Sequence, residues 1–315
     1  MSANLQNPAF TNEEKAREAL EAVRWPNGPV CPHCGSVEGI AKAQGKSPRP
    51  GLYYCAACND QFTVTVGTVM ERSKVPLTKW WLAMHLMGAS KKGMSAHQMH
   101  RMLGLTYKTT WFMCHRIREA MREGGLGPIG SGGKIVEADE TYFGPVDNPK
   151  PGKGRKGRPY TKGGKSGPAG KRAVVALVER RGQVRSFHPA VADGESVAAI
   201  VRENIAREAH LMTDESRLYM QVGWEFATHH TVTHSKGGYV RGIAHTNTVE
   251  NVFSVFKRGM RGTYQHCKEK HLHRYLAEFD FRYNNRTALG VDDVTRVAKI
   301  AKGIEGKRLT YRLPH

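Results

Sequence analysis

The chain has 315 residues, more than one typical domain, so two or three folding units are expected. Its 48 lysines and arginines against 28 acids leave a formal charge of +20, an excess that suits a polyanionic partner, nucleic acid first of all. The 39% apolar content is spread in short periodic blocks. No run approaches the ~18 to 20 residues of a membrane span and no leader-like N-terminus is visible, so a cytoplasmic protein is expected, with no membrane partner.

In chain order, residues 12 to 23 place Ala16, Ala19, Leu20 and Val23 on one side of a helix, and WPNGP breaks it. Short extended stretches follow, LYYC and QFTVTVG, set between turns rich in glycine and proline. They carry four of the six cysteines as two pairs, Cys31 and Cys34 in CPHC, Cys55 and Cys58 in CAAC. Two such turns aim four thiolates at one tetrahedral ion, which predicts one structural zinc rather than disulfides or a redox pair. His33 lies inside the first turn, but four sulfurs already complete the shell. The remaining two, Cys114 and Cys267, stand alone in helix-like segments.

Three helical patterns come next, 77 to 89, 95 to 103 and 106 to 122, with Gly104 and Leu105 at a tight junction between the last two. The arrangement suggests a helix-turn-helix. Ala96, Met99, Met102 and Leu103 would pack beneath Leu105, and Trp111, Phe112, His115 and Ile117 would line the third helix. Its first residues, Thr106, Tyr107, Lys108 and Thr109, would approach DNA, and Arg116, Arg118 and Arg122 would meet the phosphate backbone. A plain helical hairpin is the competing reading.

After the glycine-rich joint GGLGPIGSGG the pattern changes. KIVEADETYF, RAVVALVER and QVRSFHPAV read as strands, ESVAAIVRENIARE as a helix and HLMTD as a short buried strand. Residues 216 to 226 read as helix, THHTVTH as strand and NTVENVFSVFKRGM as helix. The order βββαβαβα predicts an α/β domain of ribonuclease H-like type, a mixed sheet with helices. The expected units are 1–72, an N-terminal helix and zinc ribbon; 73–125, a helix-turn-helix-like DNA-binding region; 134–290, the ribonuclease H-like domain; and 291–315, a C-terminal tail. A lysine-, arginine- and glycine-rich insertion over 145–172 is too polar to form a core of its own.

Three acids fall at telling places. Asp139 lies near the end of the first strand, and Asp214 closes HLMTD, where open α/β sheets hold ligands. Glu250 shares a polar helix stripe with Ser254 and Lys257, opposite an apolar one formed by Val249, Val252, Phe253 and Phe256. Any one of these acids alone reads as surface charge; their joint placement predicts a cation site. Alternation puts Asp139 on one face with Ile135 and Glu137 and turns Glu140 the other way, so Glu137 and Glu140 stay open as rivals to Asp139. His245 and Asn247 precede Glu250 and would orient phosphate, or Asn247 would cap the helix.

The segments WPNGPVCPHCGS, YYCAACNDQFTVTVGTVM, VEADETYFG, LMTDESRLY, HTNTVENVFSVFKRGMRGTY and FDFRYNNR together resemble the DDE transposases of bacterial insertion sequences. The likeness is to the ISXO-type group, which joins a zinc ribbon to a ribonuclease H-like domain. It implies that Asp139, Asp214 and Glu250 bind two magnesium or manganese ions, that Lys257 is the family's lysine beside the glutamate, and that DNA ends are cleaved and joined to target DNA. It further implies insertion-sequence inverted repeats and target DNA as partners, a homodimer or higher assembly on DNA, and location at the bacterial nucleoid. The rivals are a zinc-ribbon regulator whose second domain is inactive and a junction nuclease that cuts without joining. Tyrosine or serine recombination would need no acid triad.

Overall fold

A computed structural model describes residues 6–44, 49–147, 170–232 and 245–310. Most of the basic insertion expected over 145–172 lies outside the described residues. The chain divides into two compact units, one formed by residues 1–123 with 285–315 and the other by residues 124–284.

In the first unit, α1 (Glu13–Arg24) starts where the Asn12 side chain accepts a hydrogen bond from the Lys15 amide. A three-stranded antiparallel sheet follows, β1 (Ile40–Lys42), β2 (Tyr53–Cys55) and β3 (Asp60–Phe62). Its small core is aromatic: Trp25 meets Tyr53 and Phe62 edge-on, while Tyr53 and Phe62 stack. So few buried side chains give little folding energy, which leaves much of the work to whatever holds the cysteines.

The helical part comprises α2 (Leu77–Ala89), α3 (Ala96–Leu103) and α4 (Tyr107–Met121). Ser95 and Thr106 cap α3 and α4 through their side chains, and α3 ends on Gly104 at φ +64°, a left-handed turn that suits glycine. Met99 and Leu103 are buried as expected, but Met102 is 50% exposed. α8 (Asp293–Lys302), capped by Asp292, packs on α2 within this unit. Its buried Arg296 donates to the carbonyls of Gly88 and Asn285.

The second unit is built on a five-stranded sheet of order β6-β5-β4-β7-β8. Its strands are β4 (Ile135–Pro145), β5 (Lys171–Glu179), β6 (Val184–Phe187), β7 (His210–Asp214) and β8 (Thr228–Val232). The first three pair antiparallel, whereas β4, β7 and β8 run parallel. Both faces are covered, which explains the nearly unbroken apolar run in β5. Val175 and Leu177 join Val136, Ala138, Leu211 and Tyr219 beneath α5 (Gly194–Asn204). Val174, Ala176 and Val178 pack instead against α6 (Asn247–Gly259) and α7 (Leu272–Asn284).

The segment expected to be helical over 216 to 226 forms two single 3-10 turns, Arg217–Tyr219 and Gly223–Glu225. Within the second turn, Gly223 packs so closely on the His229 ring that any side chain there would collide with it, which accounts for the glycine. At the far end of α6 the helix loosens into a π-turn, Met260–Tyr264, whose Tyr264 hydroxyl donates to the buried Glu278 at 2.6 Å. No helix among the described residues is long and apolar enough to cross a membrane.

Candidate active site

Pairing between β4 and β7 stops at Glu137 opposite Met212. Beyond that point the two strands part, and Asp139 and Asp214 emerge at the gap; Asp214 ends β7 as expected, but Asp139 lies in the middle of β4, not near its end, because pairing with β5 carries the strand on to Pro145. Carboxylate oxygens of Asp139, Glu140 and Asp214 all lie within 4.8 Å of one another. Each acid has a local anchor. Asp139 accepts from the Glu140 amide at 2.8 Å and Asp214 from the Ser216 amide at 3.0 Å, while the Ser216 hydroxyl donates to Glu140 at 3.1 Å. Ser216 therefore ties Glu140 to the Asp214 turn.

Such crowding is electrostatically costly. Burial, then the neighbouring Asp214 and Glu140 and more weakly Glu250, push the Asp139 carboxyl up to about 8. Glu140 is raised as well, by burial first and Asp214 second. Tyr219, fully buried beneath the cluster, has its hydroxyl held well above the ordinary range by burial and by these same acids. The Tyr219 hydroxyl and the second oxygen of Glu140 are both buried, and the phenol interacts with the Glu140 carboxylate, though not in ideal hydrogen-bond alignment. Hard oxygen donors crowded together in mutual repulsion are a donor set that a divalent cation of the magnesium type fits.

Of the acids named from sequence, Glu250 lies outside this tight group. It stands in the first turn of α6, exposed, and accepts from the Thr246 hydroxyl at 3.1 Å. Lys257, two turns along the same helix, is half-buried; burial and then Arg261 lower its ammonium, Asp139 opposes them, and Lys171 adds to the lowering. The apolar stripe opposite is buried through Val249, Phe253 and Phe256.

The rivals to Asp139 separate. Glu137 is fully buried and engaged by Arg180, Thr248 and Val249, so it has no capacity left for a cation. Glu140, by contrast, joins Asp139. Sequence reasoning missed Ser216 and Tyr219; a serine two residues beyond a strand-end aspartate is a turn signal that would have pointed to Ser216, whereas nothing local marks Tyr219. Nor does Asn247 cap α6: Thr246 occupies the cap position without a side-chain bond, and the helix amides are met by Glu137.

In the first unit, Cys31, Cys34, Cys55 and Cys58 form one group. The Cys31–Cys58 and Cys34–Cys55 sulfurs are 3.7 Å apart. A tetrahedron with Zn–S bonds of about 2.3 Å has edges of roughly 3.8 Å, so the four thiols fit zinc in size and in softness. His33 is exposed and outside the group. Along α4, Thr106, Tyr107 and Lys108 are exposed, as a reading helix requires. The arginines expected to meet phosphate differ: Arg122 is exposed, but Arg118 is buried and Arg116 donates to the carbonyls of Glu71 and Leu309.

A four-cysteine group on the ribbon of one unit and an acid cluster on β4 and β7 in the mixed sheet of the other are two candidate donor sets of distinct chemistry, soft thiolate and hard carboxylate. Residues 131–284 match the ISXO2-like transposase domain, and residues 11–61 match the transposase zinc-ribbon domain. The chain belongs to this family of zinc-ribbon DDE transposases. It is also 28% identical over 284 residues to an uncharacterized protein in transposable element ISH50 of Halobacterium salinarum, covering 87% of this chain and 91% of that protein.

Proposed function

We propose that the chain is an active DNA transposase that binds the ends of an insertion sequence, cleaves them and joins the freed 3′ ends to target DNA. The carrying observation is the meeting of Asp139 and Glu140, mid-strand on β4, with Asp214 at the end of β7 in the domain that matches the family's transposase domain. The strand order, with three antiparallel strands followed by two parallel ones, supports a ribonuclease H-like reading of that domain. A relative in a transposable element points the same way.

In this reading Asp139, Asp214 and Glu140 hold the cations from the sheet edge, and Glu250 completes their shell from α6. Bound magnesium or manganese ions, two per site, supply Lewis-acid activation of the attacking and leaving oxygens of a phosphodiester. Ser216 fixes the rotamer of Glu140, and Lys257 steadies a phosphate beside Asp139. The zinc ribbon and the exposed first turn of α4 hold DNA, and the +20 charge draws it in. A dimer assembled on paired ends would bring both cuts to one target.

The test is cleavage and joining of DNA bearing the element's inverted repeats by the zinc-loaded chain with Mg2+. Asp214→Asn keeps the acceptor oxygen for the Ser216 amide but removes a charge. It should lower cleavage and joining by roughly three orders of magnitude, the scale of several kcal/mol of lost transition-state stabilisation, with DNA binding unchanged. Full activity in that variant overturns the assignment.

A further inference from the structure

The proposed site depends on α6 arriving at the sheet edge in a fixed pose, and α6 has no cap of its own. Thr246 at the cap position makes no side-chain bond to the helix amides, and the vacant place is filled from another element. Glu137, on β4 and two residues before Asp139 on the same strand face, is fully buried. One of its oxygens accepts from the Thr248 amide at 2.8 Å and the Val249 amide at 3.0 Å. The other accepts from the Thr248 hydroxyl at 2.8 Å and from Arg180 Nε at 2.6 Å. Arg180 also donates to the His245 carbonyl at 2.9 Å, and its own amide is bonded to the Ile135 carbonyl of β4. The His245 ring lies 3.3 Å from Glu137 but out of hydrogen-bond alignment.

We infer that Glu137 is a positioning residue: its buried carboxylate replaces the missing cap of α6 and thereby sets Glu250 over Asp139 and Asp214. The chemistry is that of an anion at a helix N-terminus, where free amides and the helix dipole both favour negative charge. Arg180 offsets the burial of that charge. Because the anchoring acid and Asp139 share one strand, the distance from the sheet acids to Glu250 is set through three hydrogen bonds to a single turn. What Glu250 does there rests on the proposed function; the clamp itself does not.

Glu137→Gln is the test variant, since it keeps the side-chain shape yet presents an NH2 where donors already converge. Glu137→Ala would leave Arg180 without its counter-charge and is expected to misfold. On the full zinc-loaded chain, Glu137→Gln should speed amide exchange in the first turn of α6 by on the order of tenfold or more. It should also weaken Mn2+ binding, followed by calorimetry, by about 10- to 100-fold, the usual cost of losing a residue that orients a ligand. Glu137→Asp, which retains the carboxylate, should recover part of both. In a Glu250→Gln background, Glu137→Gln should still speed exchange but cost no further Mn2+ affinity. Unchanged Mn2+ affinity despite faster exchange, or an equal loss in both backgrounds, overturns the inference. If these results hold but the wild-type chain cuts no DNA, the functional reading fails and the clamp stands; a wild-type chain that binds no Mn2+ sinks both.

Discussion

Removing one carboxylate from the acid cluster should stabilise the protein when no divalent cation is bound. Burial and its acidic neighbours hold Asp139 at about 8, above its ordinary 3.8. The folded state thus keeps a proton that the unfolded chain releases, and stability falls as pH rises from about 4 to about 8, the reverse of an aspartate held by a cation. Each pH decade in that window is worth roughly 1.4 kcal/mol, which sets a ceiling of about 4 kcal/mol at pH 7. Sharing of the strain among Asp139, Glu140 and Asp214, with relaxation and water entry, reduces the expected gain to about 2 kcal/mol. Asp139→Asn retains an oxygen for the Glu140 amide and discards the charge. Calorimetry of the zinc-loaded chain without Mg2+ should show the variant melting about 4 to 8 °C above wild type at pH 8, with a much smaller gap at pH 5. Adding Mg2+ should raise the wild type more than the variant. A gap that is flat with pH, or that shrinks toward pH 8, would refute this account of the cluster.

Three further outcomes follow from the first unit. Stripping zinc, or replacing Cys31 by Ser, should unfold residues 29–62 while the second unit keeps its own transition, and one zinc per chain should be released on thiol modification; retained exchange protection in the metal-free ribbon would contradict a metal-dependent fold. Lys108→Ala should weaken binding to DNA ends and lower the slope of log affinity against log salt by about one. Arg118→Ala, which alters a buried side chain, should lower the melting temperature and leave that slope unchanged.

Several parts of this protein are legible in the sequence because their signals are local. The two thiolate turns, the capped starts of α3 and α4, and the apolar stripe of α6 all arise from residues a few positions apart. α7 and α8 carry such signals too, though neither is among the helices expected from sequence and 291–315 is expected as a tail: Leu272, Tyr275, Leu276 and Phe279, and then Val297, Ile300 and Ala301, recur at helical spacing and are buried. The segment after Asp214 read as a helix because its composition permits one, whereas the fold divides it into two short turns.

The acids mark where sequence stops deciding. Residue type and strand alternation placed Glu137, Asp139 and Glu140 together but assigned none of them a task, since both faces of β4 are covered. Tertiary structure separates them through partners far along the chain. Glu137 meets Thr248, 111 positions away, and becomes a helix anchor; Glu140 meets Ser216, 76 positions away, and enters the cluster. Local chemistry sets which elements form, whereas a buried charge takes its role from whichever distant donors the fold brings within hydrogen-bond reach.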